Sequence, residues 1–416
     1  MRIVKPKRNR YTGTGDDNMN QDERRELLAF AQRLLGIDSP SGYTMHAMQF
    51  LQEAAEKLGF SCVRSAKGNL MVTIPGKDHA QACALSAHCD TLGLMVRSIK
   101  DNGMLAVTNI GGPTLPTLDS AYCRIHTREG KTYTGTILCT AAAKHVHEEA
   151  STLARTLDTL EVRIDEVVRT KEDVQRLGIA NGDIIAIDPK TCVTDSGFIK
   201  SRFLDDKISV ACLFAVLRHL HAHPLPLKKD VIVIFSSYEE VGHGASFIPE
   251  HVEEMISVDM GCIGLDLACT EYDVSICAKD SSGPYDYTLT STLIALAKQE
   301  QLPYAVDIYP MYSSDVSAAL RGGNNIRGAH NGPGVHASHG MERTHIEALD
   351  ATVSLILATC VPCAPDPLSK RAKIDLIPIR QQAMAAHGVR PSFFMRASSS
   401  PDDRHDLPDE RPQRNG

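Results

Sequence analysis

Five short islands of the sequence carry histidine or carboxylate side chains just where apolar, strand-like runs end, which is where ligands bind in open α/β sheets. In Ser86-Ala-His88-Cys89-Asp90 an extended chain puts His88 and Asp90 on one side, so the imidazole can face a cation while Asp90 orients it from behind. Ser201-Arg-Phe-Leu-Asp205-Asp206-Lys207 sets two adjacent carboxylates at a helix start, a pattern that also serves capping. The apolar run Val231-Ile-Val-Ile-Phe235 leads through Ser236-Ser-Tyr238 into Glu239-Glu240-Val-Gly242. Two glutamates at a buried strand end are costly unless a cation or a reaction needs them. A metal accounts for both, one carboxylate ligating and the other free to act as general base on an activated water. Met255-Ile-Ser-Val-Asp259 again ends in a carboxylate, and 332–345 reads as a glycine-rich loop with three histidines, His336, His339 and His345. Any one island reads equally well as cap, surface charge or ligand. Five at strand ends point to a metal site.

Side chains so far apart in sequence need a scaffold to gather them. Apolar spacing predicts helices over 22–36 and 43–59, joined by the turn Ser39-Pro-Ser-Gly42. Strands are predicted over 61–64, 69–75 and 82–88, the last an almost unbroken apolar run of the kind buried on both faces. Residues 109–198 are rich in Gly, Thr and Val in short strand-like pieces and read as an inserted β-rich subdomain. Helices over 207–219, 286–299, 313–321 and 345–359 then alternate with strands over 231–236 and 255–259, which favours an α/β sheet. The catalytic domain is thus expected in two parts, 21–108 and 199–363. A basic tail, 1–20, and a Pro-, Ser- and Arg-rich tail, 364–416, are both read as mostly disordered.

Composition narrows the function classes. With 44 Lys plus Arg against 51 Asp plus Glu, the chain is a net acid of charge −7, a poor match for a phosphate backbone, so no nucleic-acid partner is expected. No apolar run approaches the roughly 18 residues that span a bilayer, and no apolar segment follows the basic N-terminus, so no membrane partner and a cytoplasmic location are expected. The 12 cysteines are mostly scattered singly, as small buried hydrophobes in a reducing compartment. The Cys360-Val-Pro-Cys363 pair reads as structural. Arg321, Arg327 and Arg343 would suit an acidic substrate side chain, but lone arginines are usually surface charges.

The order His-x-Asp, Asp-Asp, Glu-Glu, Asp, His resembles the co-catalytic dinuclear zinc exopeptidases, and more closely the glutamyl aminopeptidase family, which includes the tetrahedral aminopeptidases. Ser39-Pro-Ser-Gly-Tyr43, Asn109-Ile-Gly-Gly112, Gly178-Ile-Ala-Asn-Gly-Asp183, Leu204-Asp-Asp-Lys207 and Glu239-Glu-Val-Gly242 carry the likeness, over about residues 22–362. The resemblance implies a zinc-exopeptidase-like mixed sheet flanked by helices, with an inserted small β-barrel-like domain that mediates homo-oligomer assembly. It implies two divalent metal ions per subunit, zinc first and cobalt or manganese as alternatives. His88, Asp205, Glu240, Asp259 and His339 would be the ligands, Asp205 bridging, with Glu239 as base and Asp90 orienting. The family's last histidine stands a little ahead of an Asp-Ala-Thr-like helix start, and counting back from Asp350-Ala-Thr352 reaches His339, with His345 and His336 as the alternatives. His339-Gly-Met-Glu342 stands where the family carries His-Ser-x-x-Glu, which implies a remodelled substrate pocket. The implied function is a metal-dependent aminopeptidase releasing N-terminal residues from short peptides. The alternative is a dinuclear amidohydrolase acting on N-acylated amino acids or capped dipeptides. The wording His336-Ala-Ser-His339 and Glu342-Arg-Thr-His345 is similar to a bacterial branch linked to dipeptide osmoprotectant metabolism.

Overall fold

A computed structural model describes residues 19–360; the two tails, Cys363 included, lie outside the described residues except for Met19 and Asn20. Asn20 is the cap of the first helix, α1 (Gln21–Leu35): its side chain accepts the Asp22 and Glu23 N–H groups and Glu23 reaches back to its N–H. The helix α2 (Met45–Lys57) follows the Ser39–Gly42 turn. Later come α3 (Lys171–Leu177), α4 (Leu204–Ala222), α5 (Tyr287–Gln299), α6 (Asp315–Arg321) and α7 (Ile346–Cys360).

A 10-stranded mixed sheet organises these helices. Eight strands run in the spatial order Cys62–Arg64, Leu70–Ile74, Lys229–Ser236, Asp78–His88, Val252–Val258, Arg327–Val335, Val274–Asp280 and Gly283–Pro284, and two more pair off this path, Gly261–Cys262 on Arg327–Val335 and Tyr304–Ile308 on Val274–Asp280. Four central neighbours, from Lys229–Ser236 to Arg327–Val335, are mutually parallel, so their C-terminal ends share one edge. Alternation along these strands divides two apolar layers. Leu85, Val233, Phe235, Ile256 and Val258 pack with α1, α4 and α7, while Ala84, Ile232, Ile234 and Met255 pack with Val316 and Ala319 of α6. The α4 helix is buried from Leu204 to Leu217 and, beyond its opening Asp205-Asp206-Lys207, apolar but for Ser209 over Ile208–Leu217, as a helix enclosed between a sheet and other helices must be. Phe30 of α1 stacks on its Phe214, ring centroids 4.2 Å apart.

The second module is a closed antiparallel barrel of Gly93–Ile99, Leu105–Ile110, Leu160–Ile164, Thr132–Cys139, Tyr122–His126 and Ile184–Ile187. Its strands begin at Gly93, ahead of the expected boundary at 109. The first two, Gly93–Ile99 and Leu105–Ile110, fall mostly within the expected catalytic part, 21–108. They belong to the barrel because Leu94 pairs with Ile185 and Leu105 with Val162, closing it. The short α3 also lies outside the sequence expectation, since its seven residues carry only Val174 and Leu177 as apolar positions, too few to show a helical period.

The glycine-rich stretch expected as a loop is instead largely strand: Gly332 to Val335 are the last residues of Arg327–Val335. A Cβ at Gly332 would lie 1.9 Å from the Asp259 carbonyl oxygen, and one at Gly334 2.1 Å from that of Thr270. Glycine there permits close backbone approach inside a sheet.

Candidate metal centre

The shared edge of the four parallel strands gathers the predicted donors. His88 ends one strand, Glu239 and Glu240 follow Ser236, Asp259 follows Val258, and His339 lies four residues past Val335. Asp205 enters from the start of α4. Its φ/ψ and those of Asp206 are non-helical, and the helix has no side-chain cap, so the capping role that two N-terminal aspartates suggest is not the one they play.

The arrangement centres on Asp205. Its Oδ1 lies 3.0 Å from His88 Nε2, and its Oδ2 lies 3.5 Å from His339 Nε2. His339 Nε2 is 3.6 Å from Glu240 Oε2, and His88 Nε2 is 3.8 Å from Glu239 Oε2. Both rings are oriented alike. His88 Nδ1–H donates to the Asp90 carbonyl (3.0 Å) and His339 Nδ1–H to the Gly112 carbonyl (2.9 Å). A carbonyl only accepts, so each Nδ1 carries the proton and each Nε2 is turned towards the carboxylates. Ligand-forming atoms of His88, Asp205 and Glu240 lie within 4.8 Å of one another, as do those of His88, Asp206 and Asp259.

Asp90 acts differently from expectation. Its carboxylate sits 3.6 Å from His88 Nδ1, too far for a hydrogen bond, and it is the main-chain carbonyl that orients the ring. The carboxylate instead accepts the N–H groups of Glu239 (3.1 Å) and Glu240 (3.3 Å) and the Ser41 hydroxyl (2.5 Å), fixing the glutamate turn. Asp315 holds the far side of that turn, accepting from Ser236 Oγ (2.5 Å) and Ala245 N–H (2.8 Å).

Five buried or half-buried carboxylates thus face two imidazoles. Burial, with the charges of Asp259, Asp315 and Glu240, pushes the Glu239 carboxyl well up against the opposing pull of His88. Burial and Asp205 do the same to Glu240, and burial with Asp205 raises Asp259 to about 7. Burial works against the His88 cation, but the hydrogen bond with Asp205 and the charges of Asp259 and Glu239 outweigh it and raise its pKa. Burial likewise opposes the His339 cation, but its hydrogen bond with Asp205 and the charges of Asp205 and Glu240 raise its pKa to about 10. Such a cluster calls for added positive charge. Asp206 Oδ1 and Glu240 Oε1 are buried with no hydrogen-bond partner, and orphaned carboxylate oxygens beside oriented imidazoles are donors suited to divalent cations.

Of the alternatives for the last histidine, neither reaches the centre. His336 is exposed, and its backbone pairs with Arg343. His345 donates from Nε2 to the Ser196 carbonyl and accepts the Glu347 N–H at Nδ1. Two residues were under-read: Asp206, treated only as a companion of Asp205, and Glu342, which accepts the N–H groups of both Asp205 and His339. The Glu342 spacing from His339 was the available signal. Arg327 and Arg343 are engaged with Glu254 and Glu271, and Arg321 with the Ser282 hydroxyl.

The model of the M42 glutamyl aminopeptidase family matches residues 68–355. YhfE of Bacillus subtilis (strain 168), which is named as an aminopeptidase, is 41% identical over 333 residues, 80% of this chain and 96% of that protein. Among solved structures, the aminopeptidase APDkam598 from the archaeon Desulfurococcus kamchatkensis has a TM-score of 0.73 at 21% identity, covering 81% of this chain and 95% of its own. The Pyrococcus horikoshii TET1 peptidase, which can assemble into a tetrahedron or a large octahedral shell, has a TM-score of 0.72 at 22% identity, covering 81% and 100%. These two likenesses bear on the fold, whereas the family match and the 41% relative bear on the chemistry. The chain is therefore a member of the M42 glutamyl aminopeptidase family, a metal-dependent aminopeptidase that hydrolyses peptide bonds.

Proposed function

We propose that the centre takes two divalent ions, zinc first, one among His88, Asp259 and Asp205 and the other among Asp205, Glu240 and His339. The observation that carries this reading is Asp205, whose two oxygens each face a different histidine Nε2. Bound ions supply Lewis-acid polarisation of the scissile carbonyl and acidify a water towards neutral pH. Glu239 is the residue left for proton transfer: its carboxylate accepts the proton of the attacking water and returns it to the leaving amine. Asp90 and Asp315 hold the turn that presents it. The surplus of carboxylates favours a substrate with a free, cationic α-amine over an N-blocked one, which supports exopeptidase action on short peptides. A homo-oligomer is proposed by likeness to the assembling TET1 peptidase. A cytoplasmic location agrees with the described residues, among which no helix is long and apolar enough to cross a membrane.

The test is metal content together with hydrolysis of free-amine and N-blocked dipeptides, for the wild type and Glu239→Gln. Two ions per chain, with free-amine cleavage abolished by the substitution, is the expected result. Cleavage restricted to N-blocked substrates would move the assignment to an amidohydrolase, and a metal-free active protein would overturn it.

A further inference from the structure

We propose that Glu342 is a positioning residue that holds Asp205 and His339 in place as ligands and thereby retains selectively the ion on the Asp205–Glu240–His339 side. The proposal rests on the dinuclear reading above. Glu342 is 2% exposed and opens the short strand Glu342–His345, which pairs with Phe198–Ser201 just before α4. One carboxylate oxygen accepts the Asp205 N–H at 3.1 Å and the other the His339 N–H at 3.0 Å. With an N–H on each oxygen, Glu342 is an acceptor for two backbone segments rather than a further ligand.

Both segments need such an anchor. Asp205 lies outside helical geometry, so its N–H has no place in the α4 ladder. His339 has φ 62° and Ala337 φ 60°, left-handed conformations that cost a non-glycine residue about 1–3 kcal/mol and persist only when the surroundings over-determine them. For His339 those surroundings are three hydrogen bonds: its N–H to Glu342, its carbonyl from Thr114 N–H at 2.9 Å, and its ring to Gly112. Removing the Glu342 acceptor leaves the backbone N–H of two ligands unpaired in a buried site and loosens the left-handed turn. The His88 side is held separately, by the Asp90 carbonyl on the ring and by Asp206 Oδ2 on the His88 N–H (3.2 Å). Of the proposed ligands on that side, only Asp205 is reached by Glu342.

The experiment uses the full chain loaded with zinc, comparing wild type, Glu342→Gln and Glu342→Asp, with His339→Ala as the reference for loss of one ion. An amide in place of the carboxylate turns an NH2 towards one of the two N–H groups, and aspartate falls one methylene short of spanning both. Zinc per chain is measured after dialysis, then the rate of release to a chromophoric chelator, with near-UV circular dichroism confirming the fold. Expected is one of the two equivalents leaving about 10–100-fold faster in both Glu342 variants, the other, which shares only Asp205 with that side, being accelerated distinctly less. Two equivalents in the wild type with unchanged release from folded variants overturns the proposal alone, as does equal acceleration of both equivalents. Fewer than two in the wild type overturns the dinuclear reading and the proposal with it.

Discussion

Glu239 and Glu240 are neighbours in the chain, yet their surroundings separate them. Glu240 Oε2 lies beside His339 Nε2 while its other oxygen has no partner, whereas Glu239 lies beside His88, its nearest carboxylate oxygen 3.8 Å from Nε2. Glu239→Gln removes a proton acceptor while keeping volume and hydrogen-bonding size, so kcat is expected to fall about 10²–10⁴-fold with metal content unchanged, measured by steady-state kinetics beside elemental analysis. Asp90→Asn makes a different prediction. The main-chain carbonyl that orients His88 survives, but the amide cannot accept from Ser41, Glu239 and Glu240 together. The expected outcome is a fall in kcat of about tenfold or more with zinc stoichiometry retained, since the glutamate turn, not the histidine, loses its support. The carboxylate–histidine arrangement was legible from the His-x-Asp spacing. Which group of Asp90 does the orienting was not, because two-residue spacing places the side chain near the ring without fixing which acceptor is closer.

At the scale of elements, close packing and ion pairs tie the site to its frame. Gly332→Ala would set a Cβ against the Asp259 carbonyl, and Gly332 is held in the sheet opposite Ser275 while the Asp259 N–H is tied to the Asn331 carbonyl. A loss of about 2–3 kcal/mol or more is expected, read as a lowered urea midpoint, with weakened metal retention because Asp259 must shift. The barrel is attached to the turn before α2 through Asp38, which pairs with Arg124 and His126 from the Tyr122–His126 strand. Burial pushes the Asp38 carboxyl up, but hydrogen bonds from Arg124 and His126, with their charges, win and lower it from 3.8 to about 2. The unfolded chain therefore takes up a proton before the folded one does. The contribution is present in full above about pH 4 and is lost as the pH falls to about 2. It amounts to about 2 kcal/mol, so the stability gap between wild type and Asp38→Asn is expected to close across that window in urea titrations. The helices α1, α2, α4, α5, α6 and α7 were each legible within a few residues from the sequence. The strand containing Gly332 was not, since a glycine run carries no side-chain alternation to read.

For the whole molecule, the centre is a concentration of negative charge at the edge of a sheet, and its stability depends on what neutralises that charge. Chelation is expected to lower the melting temperature and restored zinc to raise it, the stabilisation being about 2.7 kcal/mol for each site at a hundredfold excess over Kd. Calorimetry of the chelated and reloaded protein checks this; identical melting curves would mean that no ion is bound by the folded state.

Local chemistry was written into the sequence. Donor types, their places after apolar runs, helical and strand periods and the family motifs are properties of neighbouring residues, and they suffice for the α/β class and for a metal-dependent aminopeptidase. What tertiary structure decided depends on residues far apart in the chain. His339, not His336 or His345, reaches the centre because its ring meets the Gly112 carbonyl 227 positions away. Glu342 matters because Asp205, 137 positions earlier, offers it an N–H. The barrel begins at Gly93 because its opening strand closes against Ile184–Ile187. Such pairings are set by how the sheet and helices pack, and a local pattern holds no record of them.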